Sequence, residues 1–312
     1  MGGAVSVVTT RPRLGFLGVG WIGHNRLEAV ERAGVADVAA IADPAVDGAL
    51  DSLEDLLDAG VDGVVIATPS ALHAEQALAA LERGLPVFCQ KPVGRTAAEA
   101  RRVVDAAHDA DLLLGVDLSY RHVEGMRRIR ELVEAGELGD VFAAELVFHN
   151  AYGPDKAWFY DAGLSGGGCV IDLGIHLIDL ALWTLGLERF ERVEPHLVGA
   201  PVEHYAHARL DHVRIACSWN LHAGRDAVIE ARFHGSEGGA AVRNVGGSFY
   251  DFRAERYRGR EIETLAEPPD AWGGRAIVEW ARRVAAGEGF DPEAERHVVL
   301  AETIDRIYGR TP

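Results

Sequence analysis

From Leu14 to about Leu118, short apolar runs rich in Val, Ile, Leu and Ala alternate with longer stretches whose apolar residues recur every three or four positions. The runs at 13–18, 35–42, 62–67, 86–90 and 112–117 read as strands, and the stretches at 21–33, 52–59, 70–84 and 96–110 as helices. Strands apolar on both faces and separated by helices predict βαβ units and a parallel sheet covered on both sides. Thr96 with Glu99 makes a capping box at one helix start, and Gly84 stands where a helix C-terminus favours glycine.

Beyond residue 119 the pattern changes. A helix at 120–135 ends at Gly136, a strand follows at 141–148, and a Gly-rich loop leads into an apolar helix at 169–185. Period-two alternation then takes over. In 213–221, Val213, Ile215, Cys217, Trp219 and Leu221 fall on one side, with Arg214, Ser218 and Asn220 on the other. Similar alternation runs through 203–210, 228–234 and 248–257, and helices at 273–286 and 293–307 close the chain. This half predicts an α+β domain with a large, mostly antiparallel open-faced sheet. Helices on one face leave the other to solvent or to a second copy, so a homodimer or homotetramer through that sheet is expected.

A length of 312 residues suits two domains. We divide them at 1–119, with 1–12 a flexible leader, and 120–312, with the terminal helices packing back on the first domain. The net charge of −17 argues against a nucleic-acid partner, because an acidic surface repels phosphate backbones. Apolar runs such as 112–116 are too short to cross a bilayer and no signal-peptide core is visible, so the expected location is the cytoplasm, away from membranes. Three cysteines, Cys89, Cys169 and Cys217, form no CxxC pair and suit reduced thiols. Lysine occurs only at Lys91 and Lys156, so a lysine retained in an apolar stretch asks for a chemical reason.

The first strand runs directly into Gly18-Val19-Gly20-Trp21-Ile22-Gly23 and then a helix. In that context GxGxxG is a dinucleotide fingerprint: Gly18 turns the chain, Gly20 admits the pyrophosphate and Gly23 lets helix and strand pack closely. The helix N-terminus presents amides and a positive dipole end to the phosphates. The first domain therefore reads as α/β, a Rossmann doubly wound parallel sheet. Asp43 closes the second strand, where an acid can accept from the ribose hydroxyls and would repel a 2′-phosphate. NAD is expected over NADP.

Two further segments carry chemistry. One is Val64-Val65-Ile66-Ala67-Thr68-Pro69 with His73, followed by Val87-Phe88-Cys89-Gln90-Lys91-Pro92. The other is Gly166-Gly167-Gly168-Cys169-Val170-Ile171-Asp172-Leu173-Gly174-Ile175-His176. Together with the fingerprint, these resemble the glucose–fructose oxidoreductase/inositol dehydrogenase (Gfo/Idh/MocA) family of NAD(P)-dependent oxidoreductases. The resemblance implies that Lys91 is the lysine of a Glu-Lys-Pro motif and that Asp172 and His176 are its helical acid–histidine pair. Gln90 departs from the family's usual glutamate and removes a negative charge beside Lys91. Thr68, Pro69, His73, Gln90 and Lys91 join Gly18, Gly20, Trp21, Ile22, Gly23 and Asp43 as cofactor-site residues.

The residues themselves support that reading. Lys91 ends a parallel strand, where open α/β sheets bind ligands. Asp172 and His176 are spaced i, i+4, so a regular helix puts them on one face, where the carboxylate can set the imidazole tautomer. Here His176 is expected as acid/base, Lys91 as orienter and oxyanion stabiliser, and Asp172 as support or second substrate contact, with the roles of Lys91 and His176 exchangeable. No Cys/His cluster of ligand spacing supports a metal. Asp179 reads as structural, and His204, His207 and His212 as surface or interface residues. Tyr120, Arg121, Asn150, Tyr152, Lys156 and Trp158 are substrate candidates, since polyhydroxylated rings are held by polar donors against aromatic faces. The expected activity is hydride transfer to or from a polyol, sugar or inositol-like substrate. An NAD-using glycosidase and a non-catalytic NAD/sugar sensor are the alternatives.

Overall fold

The apolar runs become β1 (Arg13–Leu17), β2 (Asp37–Ala42), β3 (Gly63–Ile66), β4 (Val87–Cys89) and β5 (Leu114–Val116), the inner β1, β3 and β4 buried and the edge strands β2 and β5 half-buried, in the computed structural model that describes residues 11–310. The first ten residues of the expected leader lie outside the described residues. All five strands are parallel, in the order β2-β1-β3-β4-β5. Helices α1 (Trp21–Ala33), α2 (Leu53–Asp58), α3 (Ser70–Glu82) and α4 (Ala97–Asp109) connect them. At α4 half of the capping box forms: Thr96 Oγ1 accepts from the Glu99 amide at 3.2 Å, while the Glu99 carboxylate accepts from Arg95 N at 2.7 Å rather than from Thr96 N.

A short 3-10 turn at Ser119–His122 and α5 (Glu124–Glu134) lead into β6 (Val141–Asn150). A small helix, α6 (Ala162–Ser165), then a π-helical turn at Val170–Gly174 precede α7 (Ile175–Leu185). The strands β7 (Val193–Val198), β8 (Tyr205–Leu210), β9 (Val213–Ser218), β10 (Ala227–Gly235), β11 (Gly239–Asn244), β12 (Phe252–Arg258) and β13 (Glu261–Ala266) follow. With β6 they form a mixed eight-stranded sheet, β13-β12-β11-β10-β6-β9-β8-β7, antiparallel except at β6–β9. Alternation sorts its faces: Ala144, Leu146 and Phe148 of β6 and Ile215 and Cys217 of β9 are buried, whereas Glu145 and Arg214 are exposed.

α8 (Arg275–Ala285) and α9 (Glu295–Ile307) return to the parallel sheet. Trp280 packs on Phe88 at 5.7 Å between centroids, and a Cβ at Gly115 would meet both rings at 2.8 Å, so that strand position must be glycine. Residues 162–185 are long and apolar enough for a membrane span, but 83% of the apolar window is buried inside the protein. That segment is a core helix.

Candidate active site

At the first turn, Gly18 takes φ +82° and a Cβ on Gly23 would lie 2.2 Å from Gly18 O, so both glycines are sterically required. Gly20 faces open space, and no side chain caps α1 or places an acid in its first turn. The amides around Trp21 and Ile22 are therefore presented to a ligand of negative charge. Trp21 is exposed beside them. Asp43 Oδ2 accepts from Val19 N at 2.8 Å and Oδ1 from Ala45 N at 2.9 Å, which locks the glycine turn to the end of β2 and leaves lone pairs for hydroxyl donors. These residues fit a dinucleotide.

The loops after β3 and β4 form the next wall. Buried His73 bridges them, with ring nitrogens 2.7 Å from the carbonyls of Thr68 and Pro92, and burial holds its pKa below the usual histidine value. Pro69 begins α3. Gln90 is buried, and its side-chain amide donates to Asp117. The carboxylate partner of Lys91 comes from the second sequence segment. Lys91 Nζ donates to Asp172 Oδ1 at 2.8 Å and to Asp172 O at 2.6 Å, while Trp219 Nε1 donates to Asp172 Oδ2 at 3.0 Å.

The acid–histidine pair is the main correction. Asp172 lies in the π-helical turn and His176 in the α-helix after it, so the regular i, i+4 register is broken and both carboxylate oxygens serve Lys91 and Trp219 instead. Buried His176 keeps an Nδ1 with no hydrogen-bond partner. Burial first, then the charges of Lys91 and Arg26, hold its pKa well below the usual value, so it is neutral at pH 7.

The Gly-rich segment builds the helix start. A Cβ on Gly168 would lie 2.0 Å from Glu203 O, and one on Gly167 2.2 Å from the Tyr308 hydroxyl. Through that space Glu203 accepts from the amides of Gly168 and Val170, at 3.0 and 2.8 Å, and from Tyr308 at 2.7 Å. A buried carboxylate thus caps the turn that carries Asp172. Only the glycines hinted at this from sequence; Glu203 and Tyr308 carry no motif.

Of the substrate candidates, Tyr120 packs 4.8 Å from His176 and 4.9 Å from Trp272, between ring centroids. Asn150 lies two residues beyond Phe148 on the same face of β6, and its Oδ1 is buried without a partner. Tyr152 is exposed near Phe249, Trp158 stacks on Phe159 at 3.8 Å, and Lys156 is exposed. Arg121 is bound to buried Asp179, its Nε 2.8 Å from Oδ2, which commits Nε and one terminal nitrogen of the guanidinium within the protein. Trp219, Phe249 and Trp272 join the aromatic surround unannounced by any motif.

Residues 12–118 match the oxidoreductase family with NAD-binding Rossmann fold, and residues 126–241 match the GFO/IDH/MocA C-terminal domain. The rhizopine catabolism protein MocA of Rhizobium meliloti is 33% identical over 190 residues, 57% of this chain. The match spans 59% of that relative's length. The dTDP-3,4-didehydro-2,6-dideoxy-alpha-D-glucose 3-reductase of Streptomyces violaceoruber is 30% identical over 261 residues, 79% of this chain and 76% of that protein. The crystal structure of levoglucosan dehydrogenase in complex with NADH and L-sorbose superposes with a TM-score of 0.80 at 20% identity over 96% of both chains, a likeness of fold. With both family domains present in order over this architecture, the chain belongs to the Gfo/Idh/MocA family of oxidoreductases.

Proposed function

We propose that the protein is an NAD-dependent oxidoreductase that transfers hydride between the nicotinamide and a hydroxyl-bearing carbon of a polyol, sugar or inositol-like substrate. The observation that carries this reading is the Lys91–Asp172 ion pair, which joins the end of β4 to the turn before α7, with neutral His176 beside it. Lys91 holds its ammonium with two of three N–H groups on Asp172, leaving the third for the substrate oxygen. His176, uncharged, accepts the hydroxyl proton as the carbon is oxidised and returns it in the reverse direction. Bound NAD supplies the hydride acceptor. Asp172, anchored by Trp219, holds the ammonium in place.

Preference for NAD rests on the Asp43 carboxylate, which would oppose a 2′-phosphate. Aromatic rings around Tyr120 and Trp158, with Asn150 Oδ1 unpaired, suit a hydroxylated ring. Levoglucosan dehydrogenase and inositol 2-dehydrogenase, each 30% identical over part of the chain, are named for substrates of matching kind. Three buried free cysteines fit a reducing compartment such as the cytoplasm. We assign the face of the eight-stranded sheet that bears Glu145, Val147 and Ala216 to self-association as a dimer or tetramer, because no helix among the described residues covers it.

The test is a titration with NAD and NADP followed by a panel of inositols, aldoses, anhydrosugars and glycosides, read as nicotinamide reduction. Tighter NAD binding by about tenfold, equal to about 1.4 kcal/mol, and reduction with a free polyol are expected. Glycoside cleavage with no net NADH points to the glycosidase. Dinucleotide binding without any turnover leaves a sensor.

A further inference from the structure

A buried carboxylate sits one strand away from Gln90. Asp117, just past β5, is 1% exposed and has its Oδ2 2.6 Å from Arg26 Nε, the same oxygen to which Gln90 Nε2 donates. Its Oδ1 accepts from Ser119 Oγ, and Arg26 reaches that hydroxyl with its second nitrogen at 2.9 Å. Arg26 is a buried residue of α1, the helix that starts at the glycine turn. One carboxylate thus ties together the dinucleotide helix, the strand end that carries Lys91 and the entry to the second half of the chain.

We propose that Gln90 and Asp117 are an exchanged pair: residue 117 carries the buried negative charge that anchors Arg26 beneath the reaction site, residue 90 supplies the amide, and the three act as positioning residues for Lys91 and His176. The assignment follows from donors and acceptors. Asp117 Oδ2 receives two donors, and only an amide at 90 can be one of them. A carboxylate at 90 would face Asp117 with a single guanidinium between them, and two buried carboxylates in contact do not both ionise. Gln90→Glu is therefore not the simple restoration of a charge beside Lys91. The charge must move together with the amide.

The field at His176 comes from Lys91 at the end of β4 and Arg26 on α1, with Asp172 in the preceding turn and Tyr120 against its ring. Asp117 faces Arg26, and its charge also reaches Cys89 on β4 and His122 in the 3-10 turn. Losing the Asp117 charge leaves Arg26 uncompensated and disfavours the His176 imidazolium further.

The inference rests on the proposed catalytic reading for its positioning claim only, so the test has two independent readouts on Gln90→Glu, Asp117→Asn and the double variant. In thermal unfolding without ligand, each single variant falls by about 5 °C or more and the double recovers at least half of the loss. A single variant that fails to fold while the double folds is the same rescue. Losses that add, or a double that does not fold, overturn the exchanged pair. In turnover, Asp117→Asn lowers kcat by about tenfold and moves the acid limb of the kcat/KM profile to lower pH by about one unit, and the double variant restores both. Thermal rescue with unchanged kinetics in the single variants overturns the positioning role. Thermal rescue in a protein that transfers no hydride overturns the catalytic reading alone and leaves the pair standing.

Discussion

At the scale of single residues, the site depends on which atoms each polar group reaches. Lys91 and His176 are read as the groups that meet the reacting oxygen. Lys91→Met and His176→Ala are each expected to lower kcat by about 10²–10⁴-fold while the NAD dissociation constant, measured by fluorescence titration, stays within a few-fold. Unchanged turnover in either variant would remove that residue from the chemistry. Backbone contacts are equally strict. Gly23→Ala places a Cβ 2.2 Å from Gly18 O, so the glycine turn must shift, and dinucleotide binding is expected to weaken by more than about tenfold together with a lowered melting temperature. The glycine rule could be read from the sequence, because GxGxxG between a strand and a helix has a specific physical use. Arg121 could not: nothing in Tyr120-Arg121-His122 tells that Asp179, on a distant helix, takes the guanidinium.

At the scale of elements, the decisive piece is the turn before α7. Apolar composition announced a helix over 169–185, and the structure places helix there, but as a π turn at 170–174 joined to an α-helix. The physical reason is visible in its cap. Glu203 and Tyr308 bind the first amides through space that only glycines at 167 and 168 leave open, and Asp172 then turns to Lys91. Removing that cap without enlarging a side chain is informative. Tyr308→Phe is expected to cost about 1–3 kcal/mol in chemical denaturation, since Glu203 loses a buried donor. A Tyr308→Phe variant as stable as the parent would show that the hydroxyl does not hold the turn. The strands at 193–198 and 261–266 escaped the sequence reading for a simpler reason: they are edge strands with mostly exposed residues, so no alternating buried side reveals them.

For the whole molecule, burial of neutral histidines sets the response to pH. His73, His176 and His297 all have pKa values lowered by burial, to about 3 for His297, from 6.5. The unfolded rings take protons as pH drops through about 6.5 while the folded rings do not, so these groups favour folding fully above that pH and lose the effect progressively below it. Melting temperature is therefore expected to fall steadily from pH 6.5 to 4, and His297→Asn to flatten that slope; a variant with the parent's slope would exclude His297 as a contributor. The uncovered sheet face offers a second check. Val147→Glu with Ala216→Glu, adjacent in register on β6 and β9, is expected to yield a monomer in sedimentation while NAD binding persists. A parent chain that sediments as a monomer would end that assignment.

Local pattern alone determined the parallel five-stranded sheet, the glycine turn, the lysine at its strand end and the alternating second sheet, because each depends on neighbours a few positions apart. Tertiary structure decided the partners: Asp172 with Lys91 rather than His176, Gln90 with Asp117, and Glu203 with a helix start 33 residues before it. Hydrogen bonds and ion pairs act over about 3 Å, and periodicity carries no information about which distant side chain the fold brings within that reach.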